Sequence, residues 1–381
     1  MDFSLPEETR ILRDTIRDFA LEKIAPTALE CDEKQELPMG VVEQLAELGV
    51  LGTFIDPEYG GAGMTYIDYS VILEELARVD PAISLCVAAH NSLCTNHINV
   101  FGSEEQKRKY LTPLAEGHML GAWGLTEPGS GSDAAGMVTF AEDKGDHYLV
   151  NGTKTFITNG ASGGLFVCVC LTDRDAPGTH GISSLIIEPG YTGFSVARKE
   201  NKLGMRATDT AEIALEDCRV PKENLLGNEG EGFKQAMVVL DGGRISIAAL
   251  AVGLAQGSFD ACLKYTQERK QFGKPLAAFQ ATQFKLADMA TEIEAARLLT
   301  YRAAWKKDSG ERVTNESAQA KYYAGEACCR ISSEAVQIFG GYGFVKDYPV
   351  ERFFRDARLC TIGEGTSEIQ KIVIARELLR D

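Results

Sequence analysis

The spacing of apolar residues changes twice along this 381-residue chain: helical to about residue 120, extended through about 221, and helical again from 232 onward. A helical stretch does not serve as a strand, because helix side chains return to one face every three or four residues while strand side chains alternate. The switch therefore predicts an α+β multidomain chain: an N-terminal helical domain (1–120), a central β domain (121–225) and a C-terminal helical domain (226–381). Length agrees, since the chain exceeds what one hydrophobic core usually supports.

In the first unit Ser4 and Glu7 fit a capping box, and Ile11, Leu12, Ile16, Phe19 and Ala20 recur at helical spacing until Pro26 interrupts them. Amphipathic stretches follow over 40–50, 66–79, 85–101 and 104–116, with a turn cluster, "DPEYGGAG", at 56–63. The middle unit holds runs rich in Val, Ile, Phe and Thr at 147–160, 165–173, 181–190, 193–199 and 210–221, separated by Gly, Pro, Asn and Asp. Strands in succession without helices between them predict a sandwich or barrel, not a doubly wound sheet. The last unit has long helical stretches at 232–268, 280–307, 313–339 and 368–379, enough for a four-helix-bundle-like domain.

Charge narrows the function. With 39 basic and 55 acidic side chains the formal charge is −16, which argues against nucleic acid held through phosphates. The ten cysteines form no CxxC pair and several lie in apolar runs, as in "LFVCVCL" and "EACCRIS". They read as reduced, buried small hydrophobes of a cytoplasmic protein. None of the five histidines is spaced to join a cysteine set, so no metal site is expected. The start lacks a basic segment followed by an apolar one, and no run approaches 18 apolar residues, so neither a signal peptide nor a membrane span is expected.

The stretch "CTIGEGTSEIQ" (360–370) puts Glu364 between two glycines and ahead of a helix. One reading is structural: Gly363 and Gly365 admit unusual backbone angles, Thr366 or Ser367 caps the helix 368–379, and Glu364 is a solvated loop residue. The other is that bare neighbours let a substrate and a planar cofactor approach the carboxylate. Burial would then raise its pKa, as suits a general base near neutral pH.

Three further motifs carry two readings each. "WGLTEPGSGSDAAG" (123–136) is a glycine-rich connection into the β unit, or a loop whose Thr126, Ser132 and backbone N–H groups meet carbonyl and phosphate oxygens. It is not a GxGxxG dinucleotide fingerprint. In "TFITNG" (155–160) Phe156 reads as core, while Thr158 at a strand end could donate to a ring nitrogen. In "LDGGR" (240–244) Asp241 and Arg244 form a salt bridge at the start of a helix or hold an anionic ligand, for which the guanidinium fork is suited.

Together with "ERKQFGKPLAAFQ" (268–280) and "AVQIFGGYGFVKDYPVERFFRDAR" (335–358), these blocks resemble the acyl-CoA dehydrogenases over the whole length, in the family's order and at its usual separations. The resemblance implies a homotetramer with one FAD per subunit. Leu125, Thr126, Ser132, Phe156 and Thr158 would surround the flavin, Ser132 also facing the CoA side. Arg269, Phe272, Gln280, Gln337 and Gly341 would reach the FAD of a neighbouring subunit. Thr366 and Glu368 would complete its diphosphate region, Glu368 standing where relatives carry glutamine. Asp241 and Arg244 would hold the nucleotide portion of CoA.

The same resemblance implies a mechanism. Glu364 would take the α-proton of an acyl-CoA thioester while the β-hydrogen leaves as hydride to the flavin, giving a trans-2-enoyl-CoA. The Glu364 N–H and a flavin hydroxyl would bind the thioester oxygen. Electrons would pass to an electron-transfer flavoprotein. Some relatives carry the base at the position matching Gly243, where this chain has no carboxylate. Gly363 replaces a tyrosine of many straight-chain relatives, and the segment 88–98 offers Asn91 and Ser92 but no arginine. A compact, uncharged acyl group is therefore expected: short and straight, or branched or alicyclic. Two alternatives stand beside this reading, an oxidase of the same fold, distinguished by oxygen reactivity, and a non-enzymatic helical scaffold, distinguished by a colourless protein.

Overall fold

The computed structural model describes residues 4–380. Helices fill the first part: Glu7–Phe19, Met39–Glu47, Tyr66–Val79, and a nearly continuous run made of Pro81–Ala88, a π-helical stretch Ala89–Thr95, and Asn96–Phe101. The expected Ser4–Glu7 capping box is not what starts the first helix. That helix begins at Glu7 with Pro6 at the cap position, proline being suited there because its missing N–H is one the helix leaves unbonded. Reciprocal capping boxes occur instead at Thr65/Asp68 and Ser103/Gln106.

The centre is one curled sheet of seven strands: β1 (Gly121–Gly124), β2 (Phe140–Asp143), β3 (His147–Thr158), β4 (Leu165–Leu171), β5 (Ile182–Ile187), β6 (Phe194–Lys199) and β7 (Thr210–Pro221). Its order is β1-β4-β2-β3-β7-β6, with β5 also on β4. Most pairs are antiparallel, while β1 runs parallel to β4 in the register Gly121↔Leu165. The two strands missing from the sequence reading, β1 and β2, have four residues each, too short for a two-residue period to show.

The long helix Gly232–Glu268 is the axis of the molecule. Tyr66–Val79, Gln280–Asp308 and Thr314–Phe339 all pack on it. Ile245, Ile247, Ala248, Leu250, Val252 and Leu254 are all buried, and a helix apolar on every side must be enclosed on every side. By length and composition alone this helix could cross a membrane, but 83% of its most apolar window is buried within the protein.

Buried polar bonds fix the parts to one another. Glu74 on helix Tyr66–Val79 accepts from Arg297 at 2.8 and 2.9 Å and from Tyr301 at 2.8 Å. Asp32 holds Arg355 through two bonds of 3.0 and 2.8 Å. Asn159, at the end of β3, donates to the carbonyls of Cys86 and Gly121. Such charge-assisted and bidentate bonds set orientation as well as energy. All ten cysteines are free thiols, eight of them buried, as expected from their apolar surroundings.

Candidate active site

Glu364 itself, not a glycine before it, takes the left-handed backbone conformation, with φ +52°, and Gly365 follows at +94°. The expectation that both glycines serve backbone angles is corrected: Gly363 has no positive φ, and a Cβ there would make ordinary contacts of 3.4–3.6 Å with Leu359. At Gly365 a Cβ would lie 2.7 Å from Gln370 Nε2, so glycine is required there by space and by angle. A left-handed non-glycine persists only where the surroundings impose it, and such residues cluster at functional sites.

The carboxylate of Glu364 points inward. Its Oε2 is buried and has no hydrogen-bond partner. Burial pushes its pKa up to about 7, against the pull of Lys321 and Arg244, whose positive charges favour the ionised form. The carboxylate lies against Gly243 of the long helix, where a Cβ would be 2.0 Å from Oε2 and 3.0 Å from Leu93 Cδ2. Leu93 belongs to the π-helical stretch Ala89–Thr95, which thus approaches Gly243 from the N-terminal part. Neither Glu364 nor Gly365 donates its backbone N–H to an acceptor among the described residues.

Other buried polar atoms of the helical parts are also unpaired: Arg244 Nε, whose charge acts on Glu364, and Tyr66 OH, Asn96 Nδ2 and Asn91 Oδ1. Tyr66 OH and Asn96 Nδ2 both face Gly242, beside Gly243. Buried polar groups are nearly always bonded, which sets these atoms apart. Arg244 donates to Asp241 Oδ1 at 2.7 Å, and Asp241 Oδ2 accepts from Thr314 at 2.6 Å. The helix salt bridge thus exists, within the helix and not at its start. Asn91 spends its Nδ2 on the carbonyls of Val50 and Val87, leaving only Oδ1 for anything else. Ser92 donates to Ala88 O.

The residues expected near a flavin ring lie along the open ends of β1 and β3. Leu125 follows β1 and packs in one apolar cluster with Leu93 and Leu240. Thr126 and Thr158 are half-buried and Ser132 is exposed. Phe156 is not core: it is 66% exposed, has φ +58°, and sits where the β3–β7 register slips between Lys154 and Ile157. Bulges of this kind re-aim side chains, and here one turns an aromatic ring outward beside Thr158.

Sequence reasoning missed what holds this rim. Lys154 Nζ donates to Leu125 O at 3.0 Å and to Glu127 Oε1 at 2.7 Å. Glu127 in turn accepts from the N–H groups of Val138 and Thr139. The pair is almost fully buried and closes the 127–138 loop at its base. Removing one member of such a pair costs about 3–5 kcal/mol, since the other is left charged and alone. The inward lysine of an alternating strand was the available signal.

A second group lies at the far end of the long helix. Arg269 follows its last residue, and the guanidinium stands 5.2 Å from the centre of the Tyr342 ring, which brings it to the turn Gly340–Phe344 that contains Gly341. Phe272, at φ +52°, is 92% exposed. Gln280 begins the next helix and Gln337 ends its partner, both exposed. Thr366 caps the helix Ser367–Leu378 through Ile369 N, as expected, and Glu368 is exposed in its first turn.

The site thus combines a carboxylate oxygen that is buried and unpaired beside Gly243 with the outward ring of Phe156. Comparison with known proteins identifies the family. Three family profiles match: Acyl-CoA dehydrogenase, N-terminal domain over residues 6–118, middle domain over 122–218, and C-terminal domain over 230–379. The short-chain-specific acyl-CoA dehydrogenase of Clostridium acetobutylicum is 48% identical over 380 residues, covering 100% of both chains. Butyryl-CoA dehydrogenase from Megasphaera elsdenii superposes with a TM-score of 0.98 at 44% identity, covering 100% of both chains. A structure solved for work on the electron transferring flavoprotein of Acidaminococcus fermentans gives 0.99 at 47%, again covering 100% of both. The chain belongs to the acyl-CoA dehydrogenase family.

Proposed function

We propose that this chain dehydrogenates a compact, uncharged acyl-CoA thioester to the trans-2-enoyl-CoA and passes the electrons to an electron-transfer flavoprotein, working as a cytoplasmic homotetramer. The observation that carries the reading is the unpartnered Oε2 of Glu364, buried against Gly243 with its pKa near 7. Glu364 takes the α-proton, and the free N–H of Glu364 donates to the thioester oxygen as it gains charge. FAD, when bound, supplies the acceptor for the β-hydrogen and two electrons. Leu125, Thr126, Ser132, Phe156 and Thr158 hold its ring, for which the outward Phe156 is the fitting feature. Arg269, Phe272, Gln280, Gln337 and Gly341 reach the cofactor of a neighbouring subunit, with Thr366 and Glu368 at the diphosphate.

Arg244 is buried and close enough to Glu364 to lower its pKa, which suits the thioester end of the substrate better than the nucleotide end; Asp241 fixes its orientation. Gly363, Gly365 and Asn91 line the acyl side, and Gly363 leaves room for a branch or ring. The test is Glu364→Gln in the FAD-loaded enzyme with butyryl-CoA and an artificial electron acceptor. Flavin content and acyl-CoA binding stay near wild type while turnover falls by several orders of magnitude. In the wild type kcat/KM rises with pH through about 7, because only the ionised carboxylate accepts a proton. Near-normal turnover in the variant would end the assignment.

A further inference from the structure

The loop that carries Glu364 is held from behind by a residue no motif identifies. Lys321, on helix Thr314–Phe339, is 1% exposed, and its Nζ donates to the carbonyl of Gly365 at 2.5 Å. Gln370, fully buried, donates to the same carbonyl at 2.9 Å and to that of Glu364 at 3.3 Å. Both carbonyls belong to the two residues of positive φ. Helix and loop are pressed together just below, where a Cβ on Gly325 would lie 2.6 Å from Cys360 O. A buried lysine is costly unless its charge has a use or a partner, yet its hydrogen-bond acceptor here is a neutral carbonyl.

We propose that Lys321 is a positioning residue for the dehydrogenation, pinning the Gly365 carbonyl so that Glu364 keeps its left-handed conformation. The proposal rests on the assignment of Glu364 as the base of that reaction. Charged and titratable groups around the pair come from five elements: Arg244 and its partner Asp241 on the long helix, Glu326 on the helix of Lys321 itself, Cys360 in the turn before the loop, Tyr69 on helix Tyr66–Val79, and Arg376 on helix Ser367–Leu378. Among them Lys321 is the stronger influence favouring ionised Glu364, ahead of Arg244. Burial brings Lys321 itself down to about 8, so it is charged at the pH where Glu364 titrates. Without that cation the carboxylate holds its proton to a higher pH, and the active fraction at neutral pH falls.

The experiment compares Lys321→Met and Lys321→Gln with wild type as holoenzymes, measuring kcat and kcat/KM for butyryl-CoA from pH 6 to 9.5 per bound flavin. In both variants the acid limb of kcat/KM, which reports the free enzyme, moves up by about one pH unit, giving roughly tenfold less activity at pH 6.5 than the plateau loss alone. Lys321→Gln, which can still donate to Gly365, loses less of the plateau than Lys321→Met. A limb that stays at the wild-type pH in both variants overturns the proposal even if kcat drops, since a merely structural lysine would lower the amount of folded flavoprotein without moving the titration. Failure of both variants to fold would likewise make Lys321 a structural group. Glu364→Gln in the same assay separates the two layers: an active Glu364→Gln removes the base itself, whereas an inactive one with an unmoved Lys321→Met limb removes only the positioning role.

Discussion

Gly243→Ala should raise stability and lower activity at once. The substitution adds one methyl carbon, 2.0 Å from Glu364 Oε2 and 3.0 Å from its Cδ, where ordinary contact is about 3.5 Å or more. The carboxylate must therefore retreat by more than an ångström. It can do so, being the end of a flexible side chain without a hydrogen bond on Oε2, so the fold bears little strain. Alanine inside a helix gains about 1 kcal/mol over glycine, offset in part by the tight approach to Leu93. For catalysis a misplacement of about 1 Å costs on the order of a hundredfold. Thermal unfolding of the holoenzyme should show a midpoint unchanged or higher by a degree or two, while kcat for butyryl-CoA falls about a hundredfold. Activity within threefold of wild type would refute the placement of the base against Gly243, and a midpoint lower by several degrees would refute the claim that the carboxylate alone yields.

Two further outcomes test the rim and the acyl pocket. Arg269→Ala should lose flavin and loosen the tetramer, read by the flavin absorbance-to-protein ratio and by sedimentation; a yellow, fully assembled tetramer would count against its reaching a neighbour's cofactor. Gly363→Tyr, whose Cβ meets Leu359 only at contact distance, should fold normally and keep butyryl-CoA turnover while abolishing that of branched or alicyclic acyl-CoAs; equal loss on all substrates would refute the extra room.

Much of this molecule could be read in its residues because the signals are local. Periodicity gave the α, β, α order, and Thr366 was visible as a cap since it bonds Ile369 three residues on. What could not be read depends on contacts between distant positions. Lys321 meets Gly365 across 44 residues, Lys154 meets Glu127 across 27, and Glu364 packs from its loop on Gly243 of the long helix. Phe156 looked like core because its strand alternates; only the slipped register shows that the ring turns out. Ser4 looked like a cap because composition alone does not say where a helix with Pro6 before it begins.

The unpartnered carboxylate also sets what this protein gives up in order to work. Glu364 binds its proton more tightly in the native state, to about pH 7, than in the unfolded chain near 4.5. Folding is therefore favoured when it is protonated, and that advantage is lost as pH rises from 4.5 through 7; a shift of this size corresponds to roughly 3 kcal/mol. The carboxylate is thus least welcome in the fold in the very form that removes a proton. Drift toward glutamine or alanine at 364 would be rewarded by sturdiness and opposed only by chemistry, so the glutamate persists in a lineage only as long as the reaction is needed.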